Sequence, residues 1–432
     1  MPHSGVAVRP EAKERPEHLP WNFSVIVLDV SFYLFAIAFA DGNTVLPAFL
    51  TRLTESPLLI GLIGTIRTAG WFLPQLLVAS RLAHRPRKKP FLIVVCLLGR
   101  VPILSVVAVL MLAPDQPVLI MAVFFFAFTA FCFSEGAGGV PWTDIIGKAI
   151  PHRLRGRFFA STELVGGILA AAAGVGVKRI LESPRIGYPG DYALLFFLSF
   201  SFLMVSLSFV AAIREPIRPV MNQEIRLGAL VRNSKDMLRR RPALVPLLAA
   251  QLTLGASGMV APFYVAHGRL NLGITEGMVG VFVSAQILGG MAASLLAGYL
   301  SDRKGSTWAI RGTTLCAIAT PLAALVIPAA AGGTLSGAWP WAYAAVFAFL
   351  GATWHTLWIG FTNFLLESVS DEERASYVGL MNTLNAPQAL FPLIASGIVA
   401  VASYQAAFAA SLICALAASA IALTLQDPRA AR

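Results

Sequence analysis

Six ionisable side chains interrupt otherwise apolar runs in the first half of the chain: Asp29, Asp41, Arg67, Arg100, Glu135 and Glu163. At mid-membrane such a group costs on the order of 3 kcal/mol or more, so it faces a bundle interior or a water-filled path and marks where ions or solutes pass. At about 1.5 Å rise per residue, Asp41 lies about 6 Å and Arg67 about 3 Å to the outer side of the centres of their runs, which allows an ion pair. Glu135 falls near the middle of its run, ahead of Gly136, Gly138 and Gly139, which permit bending. An acid whose hydration and arginine neighbours change as a cavity opens and closes can gain and lose a proton. Asp41, Arg67 and Glu135 are therefore the candidates for proton coupling or substrate contact. Asp29, Arg100 and Glu163 fall nearer the cytoplasmic side and read as snorkelling or packing groups.

The second half has no carboxylate deep in an apolar run. It offers Trp354, His355 and Trp358 instead. Residues four apart share a helix face, so both indoles can meet one solute, and histidine titrates near neutrality. Rings packed only against neighbouring helices would give the same pattern. Other chemistry is missing from the sequence. There is no HExxH, no GxSxG and no cluster of His, Cys and Asp at metal-ligand spacing, and Gly147-Lys148 lacks the flanking residues of a phosphate loop. The four cysteines, Cys96, Cys132, Cys316 and Cys414, sit singly in apolar blocks and read as small buried hydrophobes. No catalytic residue, cofactor or metal is expected, and transport powered by ATP in this chain alone is disfavoured.

The elements that position these residues are membrane helices. Hydrophobic residues make up 57% of the 432 positions and charged ones 13%, against roughly 25% charged in soluble domains. A hydrocarbon core takes about 20 apolar helical residues. Twelve such spans are predicted at 23–50, 58–80, 91–113, 117–147, 158–181, 192–213, 243–267, 275–299, 307–329, 340–368, 376–402 and 404–425. They group as a first bundle (23–213) and a second (243–425), joined by a basic linker (214–242), with tails at 1–22 and 426–432. Leu227, Leu230, Val231 and Leu238 give the linker a helical apolar spacing. That spacing suits either a surface helix on lipid headgroups or a solvated connection. With the N-terminus inside, 26 of the 33 Lys and Arg residues fall on the inner side. The positive-inside rule then puts both termini and the linker in the cytoplasm. The basic balance is accounted for by membrane topology, with no nucleic-acid partner needed. The expected location is the inner (plasma) membrane.

The two bundles repeat one another. A shift of 219 residues lays Gly61 and Gly70 on Gly280 and Gly289, Pro141-Trp142-Thr143-Asp144 on Gly360-Phe361-Thr362-Asn363, and Arg155 on Arg374. Such a parallel repeat is a transporter plan. After the eighth span comes Gly298-Tyr299-Leu300-Ser301-Asp302-Arg303-Lys304-Gly305, and before the fifth comes Arg153-Leu154-Arg155-Gly156-Arg157. Both strings resemble signature loops of the major facilitator superfamily, and the resemblance covers about 23–425. The first-half loop departs from the pattern, with Ala83 in place of the acid and Pro86 in place of the second glycine.

The resemblance implies an all-α membrane protein of twelve transmembrane helices in two pseudo-symmetric six-helix bundles. It puts the first, fourth, seventh and tenth spans around a central cavity, so that an acid in one half faces the aromatic pair in the other. It places Asp302, with Arg303 and Arg155, at a latch that joins the halves in one conformation. It implies a secondary active transporter working by alternating access. Mid-membrane acids lead us to expect proton coupling, and an aromatic cavity to expect efflux of aromatic or cationic compounds. The expected partners are a small-molecule substrate, protons and membrane lipid, with the chain monomeric. The alternative is a transporter-like sensor that binds a solute without moving it.

Overall fold

The computed structural model describes residues 18–82, 85–217, 227–370 and 373–431. Among these, the regular structure is entirely helical, and twelve helices are long and apolar enough to cross a membrane. They are α1 (Leu19–Ala38), α2 (Pro57–Leu82), α3 (Lys89–Leu112), α4 (Pro117–Ala149), α5 (His152–Leu181), α6 (Gly190–Ala212), α7 (Leu244–Asn271), α8 (Gly277–Lys304), α9 (Ser306–Ala330), α10 (Trp339–Ser368), α11 (Tyr377–Val401) and α12 (Tyr404–Thr424).

All twelve expected spans are present, and four are interrupted. The first ends at Ala38, turns through Asp41-Gly42-Asn43, and resumes as a short helix at Val45–Leu50. Asp, Gly and Asn favour turns over helix. Asp41 is therefore in a break and not inside a continuous first helix. α3 breaks after Arg100 at Val101-Pro102, because proline offers no N–H to the preceding turn. α7 tightens to a 3-10 turn at Gly258–Val260 and α11 at Ala386–Leu390, beside Pro262, Pro387 and Pro392.

The apolar cores divide in a way that defines the conformation. One large cluster draws on both halves, with Phe39, Phe49, Ile60, Phe124 and Tyr192 from the first and Phe263, Tyr264, Phe282, Tyr343 and Phe408 from the second. It lies at the end of the molecule away from the 214–242 linker. At the linker end there are two separate clusters. One holds Leu19, Ile26, Leu92, Ile146, Phe158 and Leu207 of the first half. The other holds Leu244, Ile310, Phe361, Tyr377 and Leu425 of the second. The halves are thus fused at the far end and parted at the linker end.

Glycines set the close contacts at the fused end. A Cβ at Gly61 would meet Phe263 at 3.3 Å and the Pro392 carbonyl at 2.8 Å, on α7 and α11. Ser284 of α8 donates to the Ala171 carbonyl of α5 at 2.9 Å, next to Gly174. Near the linker end the same helices are apart: a Cβ at Gly156 or Gly298 would meet nothing within 4 Å.

The linker forms a helix at Leu227–Arg240. It docks on the second half, where Met237 and Leu238 join the core, Tyr377 donates to the Met237 carbonyl at 3.1 Å, and Arg241 pairs with Glu373 at 2.8 Å. The tail before residue 18, Ala83, and linker residues 218–226 lie outside the described residues.

Candidate functional site

A polar network crosses between the halves at the inner edge of the fused end. The break after α1 lets Asp41 fold back on its own chain, accepting from the Asn43 amide at 3.0 Å and the Thr44 hydroxyl at 2.7 Å. Gln286 of α8 donates to the other Asp41 oxygen at 3.1 Å. The Asn43 side chain donates to Gln286 at 3.2 Å and accepts from Arg67 of α2 at 3.1 Å. Arg67 lies over the ring of Trp354 on α10, 5.0 Å from its centroid. The Asp41–Arg67 ion pair that their depths allow is replaced by this bridge through Asn43. The turn that places Asp41 also consumes its carboxylate as a local acceptor.

Glu135 belongs to a second cluster, buried within the first half. Arg100 stands 3.7 Å from it and donates to the Leu203 carbonyl at 2.6 Å. Asp29 accepts from Ser206 at 2.7 Å and from Trp142 at 3.3 Å. Asp29 is 4% exposed and Arg100 3%, so of the two expected alternatives, snorkelling or packing, both residues take packing. The reason is the Pro102 break, which leaves Arg100 halfway along α3 and facing the bundle interior. The glycines after Glu135 serve packing: Gly136 fits against the backbone of Gly70 and Trp71 on α2.

Two further contacts join the halves below the network. His355 Nδ1 is 2.8 Å from Glu163 Oε1 of α5. Trp358 meets Trp71 of α2 edge to face, with centroids 6.1 Å apart. The acid facing the aromatic residues is thus Glu163, opposite His355. Glu135 turns to Arg100, and the cation over Trp354 is the protein's own Arg67. In the second half Gln251, Asn385 and Gln388 form a hydrogen-bonded group on α7 and α11, with contacts of 2.7 and 2.8 Å.

At the fused end Glu276 accepts from Arg52 of the first half and from Arg269 at 2.6 Å. Lys178 lies 4.9 Å from the Trp341 centroid across the same boundary. At the linker end Asp302 is exposed, its carbonyl accepting from Arg429 at 3.3 Å. Arg303 stacks on Tyr299 at 4.7 Å, and Arg155 donates to the Gly147 carbonyl at 3.1 Å. Each of these three stays within its own half in this conformation. Among the described residues no group of three His, Cys, Asp or Glu side chains could hold a metal ion.

Several residues of these groups escaped the sequence reading. Gln286 is one repeat shift of 219 from Arg67, and that relation was the available signal. Asn43, Ser206 and Trp71 carry no charge and no distinguishing spacing.

Twelve helices in two bundles that share one core and part around polar and aromatic groups are the architecture of a secondary transporter. The family model of the Major Facilitator Superfamily matches residues 164–387 and 247–432. The chain belongs to the major facilitator superfamily and is a multi-pass membrane protein. Solved structures agree in fold. The nucleoside transporter NupG is 14% identical, with a TM-score of 0.64, over 94% of this chain and 98% of that one. A D-xylose-proton symporter is 13% identical, with a TM-score of 0.65, over 93% and 97%. A POT family transporter in complex with 5-aminolevulinic acid is 12% identical, with a TM-score of 0.64, over 93% and 94%. A search of curated proteins finds no match.

Proposed function

We propose that this protein is a proton-coupled exporter of small solutes with an aromatic or extended apolar body. It would work by alternating access in the inner (plasma) membrane, with both termini and the linker cytoplasmic. The division of the cores carries the reading. A single core at one end and two at the other is what one state of a rocking pair of bundles, residues 23–213 and 243–425, requires. The 26 inner-side basic residues support a cytoplasmic linker end, which makes this state inward-facing. In the outward-facing state Asp302 and Arg303 would close on the start of α5 near Arg155, while the Glu276 contacts open. Trp71, Trp354 and Trp358 supply ring surface for the solute. Arg67 already occupies a face of Trp354, which weakens the case for a cationic solute there. That one protein of similar fold is a D-xylose-proton symporter adds support for proton use, by analogy of fold alone.

The test is flux. Purified protein in proteoliposomes under an imposed pH gradient should accumulate aromatic probe compounds, and counterflow should be measurable without the gradient. A protein that binds a probe, as a rise in thermal stability shows, yet gives neither flux would be a sensor and not a carrier.

A further inference from the structure

Glu163 on α5 and His355 on α10 join the two halves inside the membrane as an acid–base pair, at 2.8 Å. Their side chains are 37% and 33% exposed, so both are within reach of water from the open end. The other deep acids are committed elsewhere. Asp41 is filled by a turn and by Gln286, and Glu135 and Asp29 face Arg100, Ser206 and Trp142 within one half. A proton on Glu135 changes nothing between the halves. A proton on the Glu163–His355 pair changes a contact between them.

We propose that the Glu163–His355 pair takes up the coupling proton and that its protonation sets how firmly the halves hold together at this level; this rests on the proton-coupled reading above. With a neutral imidazole, Nδ1–H donates to the carboxylate. A proton from water then bonds to Nε2 and gives an imidazolium. The contact becomes a hydrogen bond between two charges, which is shorter and stronger than one with a neutral donor. The net charge of the pair rises from minus one to zero. Loss of that proton to water restores the first state, and no other bond is made or broken.

α9 packs on α10 through Thr313, which donates to Thr356 next to His355 at 2.9 Å, while Arg311 of α9 turns to the Leu423 carbonyl at 3.4 Å. α8 packs on the imidazole through Gly290, where a Cβ would lie 2.5 Å from Cδ2, and brings no charge. α1 packs on α5 at Gly166 through Ser31 and Leu34. α2 contributes Trp71 against Trp358. On α5 itself, Arg157 is nearly two turns away, about 9 Å along the axis. Arg67 and Asp41 belong to the network nearer the fused end.

The test needs no substrate. Full-length protein without its native cysteines, in lipid nanodiscs, would carry spin labels at Gly156→Cys and Gly298→Cys, one in each half and both in open space. Distances would be recorded from about pH 5 to 8. The ratio of near to far populations should change about fivefold or more with pH, equivalent to roughly 1 kcal/mol. Glu163→Gln and His355→Gln should each flatten this response. The glutamine at 355 can still donate to Glu163, so the fold is kept while the titration is removed. Asp115→Asn, in the exposed loop before α4, should leave the response in place. A wild-type protein insensitive to pH, or a response that survives in both pair variants, overturns the proposal. The two readings fail separately. A pH response without proton-driven flux would remove transport and leave the pair, whereas proton-driven flux that survives in both variants would remove the pair alone.

Discussion

Arg100 gives the sharpest test of how the first half is held together. Its guanidinium is 3% exposed, 3.7 Å from Glu135, with Asp29 held through Ser206 in the same cluster. At 3.7 Å and an effective dielectric constant of about 20, the Coulomb attraction is roughly 4–5 kcal/mol, partly offset by desolvation. Removing one partner of such a pair leaves a buried charge without compensation and costs about 3–5 kcal/mol. Arg100→Met keeps the length and apolar stem and removes the charge, so it should lower unfolding stability by that order. Glu135→Gln added to Arg100→Met removes the orphaned carboxylate and should recover about 1–3 kcal/mol. The assay is built into the chain. Cys96 and Cys132 are 5% and 6% exposed and lie on the helices of this cluster, so a thiol-reactive dye reports its opening on heating. Equal unfolding temperatures for wild type and Arg100→Met, or no recovery in the double variant, would refute the claim that this pair is structural. Recovery of stability with loss of uphill flux would instead return Glu135 to the coupling site.

Other perturbations address the gates and the cavity. Glu276→Gln should favour opening of the fused end, and Asp302→Ala should favour the present state, open at the linker end, so spin-label distances across the halves should shift in opposite directions. Trp354→Ala removes the ring under Arg67 and should weaken probe binding by about 0.5–2 kcal/mol; Trp354→Phe should cost less, as thermal-shift titrations would show. The linker responds to acid. The hydrogen bond from Arg241 holds the Glu373 carboxyl below its usual 4.5. Its contribution is therefore complete above pH 4.5 and is lost as pH falls through that lowered value. Proteolysis at 227–240 should accelerate in acid for wild type, and Glu373→Gln should be cleaved faster than wild type above pH 4.5 with little further change in acid.

The fold was legible because lipid imposes a simple rule: each span must bury its own backbone polar groups, so twelve apolar runs mean twelve helices. The breaks were legible only in part. Pro102, Pro387 and the Asp41-Gly42-Asn43 turn are visible in sequence, yet span length alone ran straight through them. That one error misplaced Asp41, and reading depth from span ends left Arg100 open between snorkelling and packing. Charge was enough to find the polar groups and not enough to pair them. Asp41, Arg67 and Glu135 share a sign pattern that allows several pairings. The choice was made by neutral partners, Asn43, Gln286 and Ser206, whose amides and hydroxyl supply the connecting hydrogen bonds. His355 with Glu163 could not be paired by repeat arithmetic, because the shift of 219 lays His355 on Gly136 and Glu163 on Asn382.

The same repeat explains why Arg67 faces a glutamine. Positions one shift apart occupy equivalent places in the two bundles, and Arg67 on α2 and Gln286 on α8 converge on opposite ends of the Asn43 amide. An arginine in both places would bring two guanidinium groups to one asparagine, which has a single acceptor oxygen. One positive charge would then be left against the other in a site away from bulk water. Glutamine avoids this, because its amide accepts from Asn43 and donates to Asp41 at once. Gln286→Arg should therefore loosen the junction of the halves, and a cysteine at Thr65 on α2 should become reactive to impermeant thiol reagents from the far side. Gln286→Glu should do so too, since it keeps the acceptor for Asn43 but loses the donor to Asp41 and sets a second carboxylate against it. Equal reactivity in wild type and both variants would mean that the network merely lines the cavity and does not hold the junction.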